Sequence, residues 1–404
     1  MRLPFVVIAV MLAVLIPVGF ASDSGSGEPS VPAVQLAPVA VIAERVEKLR
    51  GLNFDTAPEP VTVSKEQAIR EGLADLDRAY PPEARRADEA LYIRLGLLPP
   101  GTDLREVSAS IFGDQVAGYY DPRTKDLRLV EGAAGTRVTN EMIISHELVH
   151  ALEDQAVGLD LAEIERSDDP AYAYKALVEG TATNVMYEYV DTQFDAQTGL
   201  AGILSDGLNA PSTLSLPPFL VEQLTFPYVA GEQFVEKLYG TGGSWQLVDV
   251  ALRDRPPSST EQILHPDKWL QAEEPVEVDA PSPGPGWKTL TSGVFGEWQT
   301  RQLLALGGRV QFAAAAGWGG DRYALYERGS DQALAMRWIQ DTAKDSREFV
   351  DALTTYVEDG IGAQRAGDAY RLDDTTVAIG TGEAGVTLVF APDLALARRL
   401  ADLD

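Results

Sequence analysis

His146-Glu147-Leu148-Val149-His150 puts two imidazoles and a carboxylate within one short stretch, and the chain has only 3 histidines in all. On a helix, residues four apart share a face, so His146 and His150 can reach one metal ion together. Glu147 stands one residue round, placed to act on a metal-bound water instead of ligating the ion. A zinc ion at such a site acidifies its water, and the carboxylate takes the proton. The pattern fits H-E-x-x-H, whose three fixed positions also arise by chance. The alternative is a charged helix whose two histidines face solvent or cap its end.

Zinc centres that activate water take three protein ligands and keep one place open. Downstream, Ala176-Leu177-Val178-Glu179-Gly180-Thr181-Ala182 offers Glu179 inside an apolar run. A carboxylate buried there without a partner would be costly, and metal ligation would satisfy it. Exposure of Glu179, or an i, i+4 pair with Lys175, would satisfy it equally. Two helices must position these groups. Met142, Ile143, Leu148, Val149 and Leu152 give the first its helical spacing, with Asn140 or Thr139 as the N-cap and a capping box from neither, because Ile143 or Met142 would stand at N3. The second is expected over 172–190, where the small Gly180 and Ala182 permit close approach of another helix.

His146-Glu147-x-x-His150 followed by Glu179-Gly180-x-Ala182 resembles the gluzincin class of zinc metallopeptidases. It is more closely similar to bacterial secreted or membrane-anchored proteins with gluzincin-type cores, over roughly residues 45–350. The resemblance implies that His146, His150 and Glu179 bind zinc and that Glu147 is the general base. Many gluzincins carry an aspartate four residues after the third ligand, where it orients a ligating histidine. Here Thr183 stands in that place, a weaker acceptor. The resemblance also implies that a strand of the hairpin expected over 116–131 pairs with extended substrate, against the alternative of an ordinary sheet hairpin.

A peptidase of this type needs a donor for the developing oxyanion. His265, Tyr187, Tyr189, Tyr228 and the pair Tyr119–Tyr120 are the candidates. Tyr187 and Tyr189 lie eight and ten residues beyond Glu179, about 12–15 Å along a helix axis. Tyr228 follows Pro227, read as a helix break. His265 is the preferred catalytic candidate. Pro266 holds it extended, and it follows the ligands in the chain as the analogous histidine does in thermolysin-like gluzincins. The competing role is structural, since Ile263, Leu264 and Trp269 around it are apolar.

The remaining residues set the frame. With 404 residues and 45% hydrophobic content the chain can bury a sizeable core. A net charge of −28 argues against nucleic acid and against electrostatic attachment to an anionic membrane. There are no cysteines, which excludes disulfides and thiolate chemistry. Met1-Arg2 and the apolar run 3–20, ending Gly19-x-Ala21, read as an export signal, cleaved after Ala21 or retained as a membrane anchor.

The resulting expectation is an α+β protein. Residues 1–21 are the signal or anchor and 22–40 a disordered linker. Residues 41–272 form a helical layer plus a zincin-like core, and 287–404 a small α+β accessory domain. Within the first, Ser64 and Gln67 open a helix running to about residue 80. The acidic loop 156–169 reads as a solvated face or a calcium site, and 191–220 as a long loop that serves as a lid or a cleft wall. In the last domain the order is helix 289–306, strands 318–326 and 332–339, helix 345–356, strands 375–379 and 385–390, and helix 392–403. Function is expected to be that of an exported zinc peptidase acting on peptide or protein. The alternative is an exported zinc-binding protein without catalysis.

Overall fold

The structure, a computed structural model, describes residues 36–115, 118–131, 136–159, 168–199 and 216–403. The export segment, most of the linker, residues 160–167 of the acidic loop and 200–215 of the cleft-wall loop lie outside the described residues. Among the described residues, no helix is long and apolar enough to cross a membrane.

Helix α1 (Val39–Arg50) takes in the last two residues assigned to the linker. Strand β1 (Pro60–Val63) runs into Ser64, whose hydroxyl accepts the Gln67 N–H at 3.2 Å and opens α2 (Lys65–Ala79). The Gln67 side chain turns forward to Glu71, at 2.9 Å. Pro81 and Pro82 end that helix and start α3 (Pro82–Arg94). Helix α4 (Leu104–Gln115) was not expected. Asp103 nucleates it by accepting the N–H groups of Arg105 and Glu106 at 2.8 and 3.0 Å.

The hairpin forms as expected, from β2 (Gly118–Asp121) and β3 (Asp126–Val130). The three strands order β1-β3-β2, with β1 parallel and β2 antiparallel to β3, so β2 is an edge. Helix α5 (Arg137–Ala156) is capped by Thr136, whose hydroxyl accepts the Thr139 N–H. Asn140 is already inside it, its N–H on the Thr136 carbonyl at 3.1 Å, which corrects the expected cap. Helix α6 (Asp169–Gln193) is longer than expected. Helix α7 (Pro218–Gly242) runs unbroken through Pro227, so the expected break there does not occur. Three short helices follow: α8 (Gln246–Arg253), α9 (Thr260–Leu264) and α10 (Pro266–Leu270).

Apolar residues of α1, α5 and α6 make one core, with Val46, Leu148, Leu152, Ala182 and Val185 fully buried. Behind it, the wholly buried Arg50 donates to Glu153 of α5 at 2.7 Å and to Asp249 of α8 at 2.5 Å. Its guanidinium also lies 4.7 Å from the Trp245 ring. This set of contacts fixes the far side of α5.

The C-terminal part is one antiparallel sheet of seven strands. They are β4 (Lys288–Gly293), β5 (Trp318–Arg328), β6 (Asp331–Gln340), β7 (Gln364–Ala366), β8 (Ala369–Leu372), β9 (Thr375–Gly382) and β10 (Gly385–Ala391), ordered β4-β5-β6-β10-β9-β8-β7. The expected helix over 289–306 is instead β4 followed by α11 (Gly296–Ala305). Alternating threonines make β4 a fair strand. Asp321 then breaks the direction, accepting the N–H groups of Phe295 and Gly296 at 2.7 Å each. A 3-10 turn (Arg309–Gly317), α12 (Ala343–Thr355) and α13 (Leu394–Leu400) complete the unit. Trp338, Leu388 and Phe390 of the sheet pack with α11 and α12.

Candidate metal centre

Helices α5 and α6 pack along their length and bring three ligand-type groups to one point. His146 Nε2 lies 3.2 Å from Glu179 Oε2 and 3.1 Å from His150 Nε2, and His150 Nε2 lies 3.5 Å from Glu179 Oε1. A tetrahedral ion with bonds of roughly 2.0–2.2 Å spaces its ligands roughly 3.3–3.6 Å apart. The His150–Glu179 distance falls in that range and the other two just below it, with the carboxylate turning Oε2 to His146 and Oε1 to His150; one donor atom from each residue lies within 4.8 Å of the others, close enough to share an ion. All three residues are fully buried. Glu179 is neither exposed nor paired with Lys175 as its anchor. Burial alone would raise its carboxyl, and the two imidazoles overcome this and hold it at about 2.

Glu147 is buried beside the trio and belongs to a different contact. Its Oε2 accepts the Tyr120 N–H of β2 at 2.8 Å, while Oε1 has no partner among the described residues. Burial pushes its carboxyl up to about 8; His146 and the Tyr120 N–H pull it down, and the Glu179 charge adds to the rise. A carboxyl anchored by one oxygen and open at the other is suited to receive and return a proton.

Helix α7 closes the site because two glycines let it lie against α6. A Cβ on Gly180 would meet the Gly231 backbone at 2.2 Å, and one on Gly231 would meet the Ala176 carbonyl oxygen at 1.9 Å. Asn184 ties the seam, donating to the carbonyls of Gly180 at 3.1 Å and Glu232 at 2.9 Å. One turn before Gly231, the Tyr228 ring stacks on His146, centroids 6.0 Å apart at 28°. Its hydroxyl is buried and turned toward Glu179, and burial, the charges of Glu179 and Glu147 and that approach to Glu179 raise it well above its usual value.

The other expected residues go elsewhere. His265 is not in this group: its Nε2 hydrogen-bonds Oε1 of the buried Glu297 of α11 at 3.1 Å, and that hydrogen bond raises the imidazole above its usual value. The geometry favours its structural role, tying the α9–α10 junction to the C-terminal unit. Tyr189 donates to Glu141 at 2.7 Å, and Tyr187 is exposed. Tyr119 and Tyr120 donate their hydroxyls to Glu71 and Asp154 at 2.6 and 2.7 Å. The Thr183 hydroxyl has no partner among the described residues, so it does not orient a histidine. Tyr228, one of the sequence candidates, does stand against the group, on a helix that continues through Pro227. The small Gly231 one turn on was the available signal.

A second acidic group among the described residues, Glu261, Glu273 and Asp341, surrounds the Lys268 ammonium at 2.6, 2.7 and 2.8 Å. An ammonium with three carboxylates is an ion-pair network already complete.

Residues 288–401 match a family described as Domain of unknown function (DUF8575). The match begins at β4 and ends just past α13, so it covers the sheet unit and none of the metal-centre residues. No curated protein and no solved structure matches the chain.

Proposed function

We propose that the protein is an exported zinc-dependent peptidase with a gluzincin-type core. The observation that carries the reading is the buried group of His146, His150 and Glu179, whose donor atoms lie within 4.8 Å of one another, close enough to share one ion. Those three residues would hold the metal. Zinc, when bound, would supply a Lewis acid and a water acidic enough to lose a proton near neutral pH.

The chain's own groups then divide the work. Glu147 takes the proton from the attacking water on its open oxygen, while Tyr120 N–H holds the other. The water oxygen bonds to the peptide carbonyl carbon. The C–N bond breaks, and Glu147 returns the proton to the leaving amine. Tyr228, its buried hydroxyl turned toward Glu179, is the donor for the oxyanion. The pairing of substrate with β2 must contend with the Tyr120 N–H already given to Glu147.

The alternative, zinc binding without catalysis, draws on one observation: all four residues are at most 1% exposed, which leaves little path for a substrate. Metal analysis tests the shared claim. Purified protein should carry about one zinc per chain, and His146→Ala should lose it. Full zinc content in that variant would end the ligand assignment. A peptide library read by mass spectrometry separates the two readings.

The role of Tyr228 has its own check. Tyr228→Phe should keep its zinc and lose roughly 10²-fold or more in turnover, as removal of an oxyanion donor does. Parental turnover in that variant would return Tyr228 to packing on His146.

A further inference from the structure

A groove runs between the outer face of α7 and α11, on the side away from the metal centre. Its two lobes, about 450 and 640 Å³, share Glu222, Gln302, Ala305 and Arg309. Thr225, Phe226, Val229 and Gln233 give it one helical face of α7, while Tyr228 and Gly231 point the other way. The larger lobe is walled by Pro99, Pro100, Pro217 and Pro218, a rim with few rotatable bonds. Four large apolar side chains at or beside the groove stay exposed: Val229 at 45%, Leu306 at 37%, Val310 at 81% and Phe312 at 36%. Such a concentration of exposed apolar side chains marks a contact surface.

The charge here is inverted. The chain has 61 acidic and 33 basic residues, yet the groove is lined by Arg94, Arg301 and Arg309 against Glu222 alone. None of the three arginines forms an ion pair among the described residues, although the Asp374 charge reaches Arg94. Arg301 lies over the Phe312 ring, 5.0 Å from its centre. Arg94 donates to Gln332 at 2.9 Å and keeps a buried Nε without a partner. Guanidinium groups left in this state match carboxylates in geometry as well as charge.

We infer that this groove binds an extended segment of another polypeptide bearing acidic and apolar side chains. Two lobes that share four lining residues suit an extended chain better than a lone anion, which would leave the proline-walled lobe empty. The apolar side chains enter that lobe and the carboxylates meet the arginines. The site is separate from the metal centre and does not depend on the reading of it.

The test uses the full chain and two fluorescein-labelled octapeptides, one alternating leucine with glutamate and the other leucine with lysine, followed by fluorescence anisotropy. The glutamate peptide should bind saturably and less tightly in high salt; the lysine peptide should not bind. The double variant Arg301→Glu, Arg309→Glu should weaken binding about tenfold or more at an unchanged thermal midpoint. If that variant is unstable, Arg309→Gln, at an exposed position, serves with a smaller loss. The inference is overturned by no saturable binding, or by equal binding to the lysine peptide or to a folded variant. It is also overturned if dodecanoate binds in the groove and neither peptide does, which would mark a lipid site.

Discussion

Glu147→Gln should retain its zinc and lose roughly 10²–10⁴-fold of its peptide hydrolysis. The amide can keep its oxygen on the Tyr120 N–H, so the local structure survives the change. What it cannot do is accept a proton from water and return it to the amine. The residue is no part of the His146, His150 and Glu179 group proposed to hold the metal, so metal content should not fall. Full zinc with parental cleavage would remove Glu147 from the mechanism. Loss of zinc together with activity would mean that it ligates, and the proposed group would have to be redrawn.

The second large effect is on folding. Gly231→Ala should destabilise the protein by about 3 kcal/mol or more, at the upper end of what overpacking a core costs. The new methyl would lie 1.9 Å from the Ala176 carbonyl oxygen, and backbone, unlike a flexible side chain, has no rotamer by which to withdraw. Gly240→Ala in the same helix is the matched control. Nothing lies within 4 Å of its added Cβ, and alanine favours helix over glycine. The control should therefore match or slightly exceed the parent in thermal unfolding. A Gly231→Ala protein melting with the parent would show that α6 and α7 part easily.

Local chemistry was legible in the chain; long-range pairing was not. The spacing of His146 and His150 and the cost of burying Glu179 alone pointed to groups that the structure does bring together. Ser64 announced its helix through a hydrogen bond three residues long, and the 118–130 hairpin through its turn. Strands β4, β7 and β8 were missed because six, three and four residues carry too little alternation to stand out. They exist because neighbours supply their hydrogen bonds: β4 pairs with β5, and β8 with β9. The partner of His265 was hidden for the same reason, since Glu297 belongs to another unit. Pro227 misled because α7 has tertiary contacts on both sides of it, enough to carry the helix past a missing N–H.

The bare seam between Gly180 and Gly231 has one more consequence. Side chains that separate two helices act as springs, and each can yield by changing rotamer. Here backbone rests on backbone, so the spacing from Glu179 to Tyr228 is set by a hard stop with no slack in it. The carboxylate and the phenol therefore travel as one jaw. Any widening of the site falls instead to the side-chain packing that holds α5 against α6 and to β2, whose direct hold on Glu147 is a single hydrogen bond from the Tyr120 N–H.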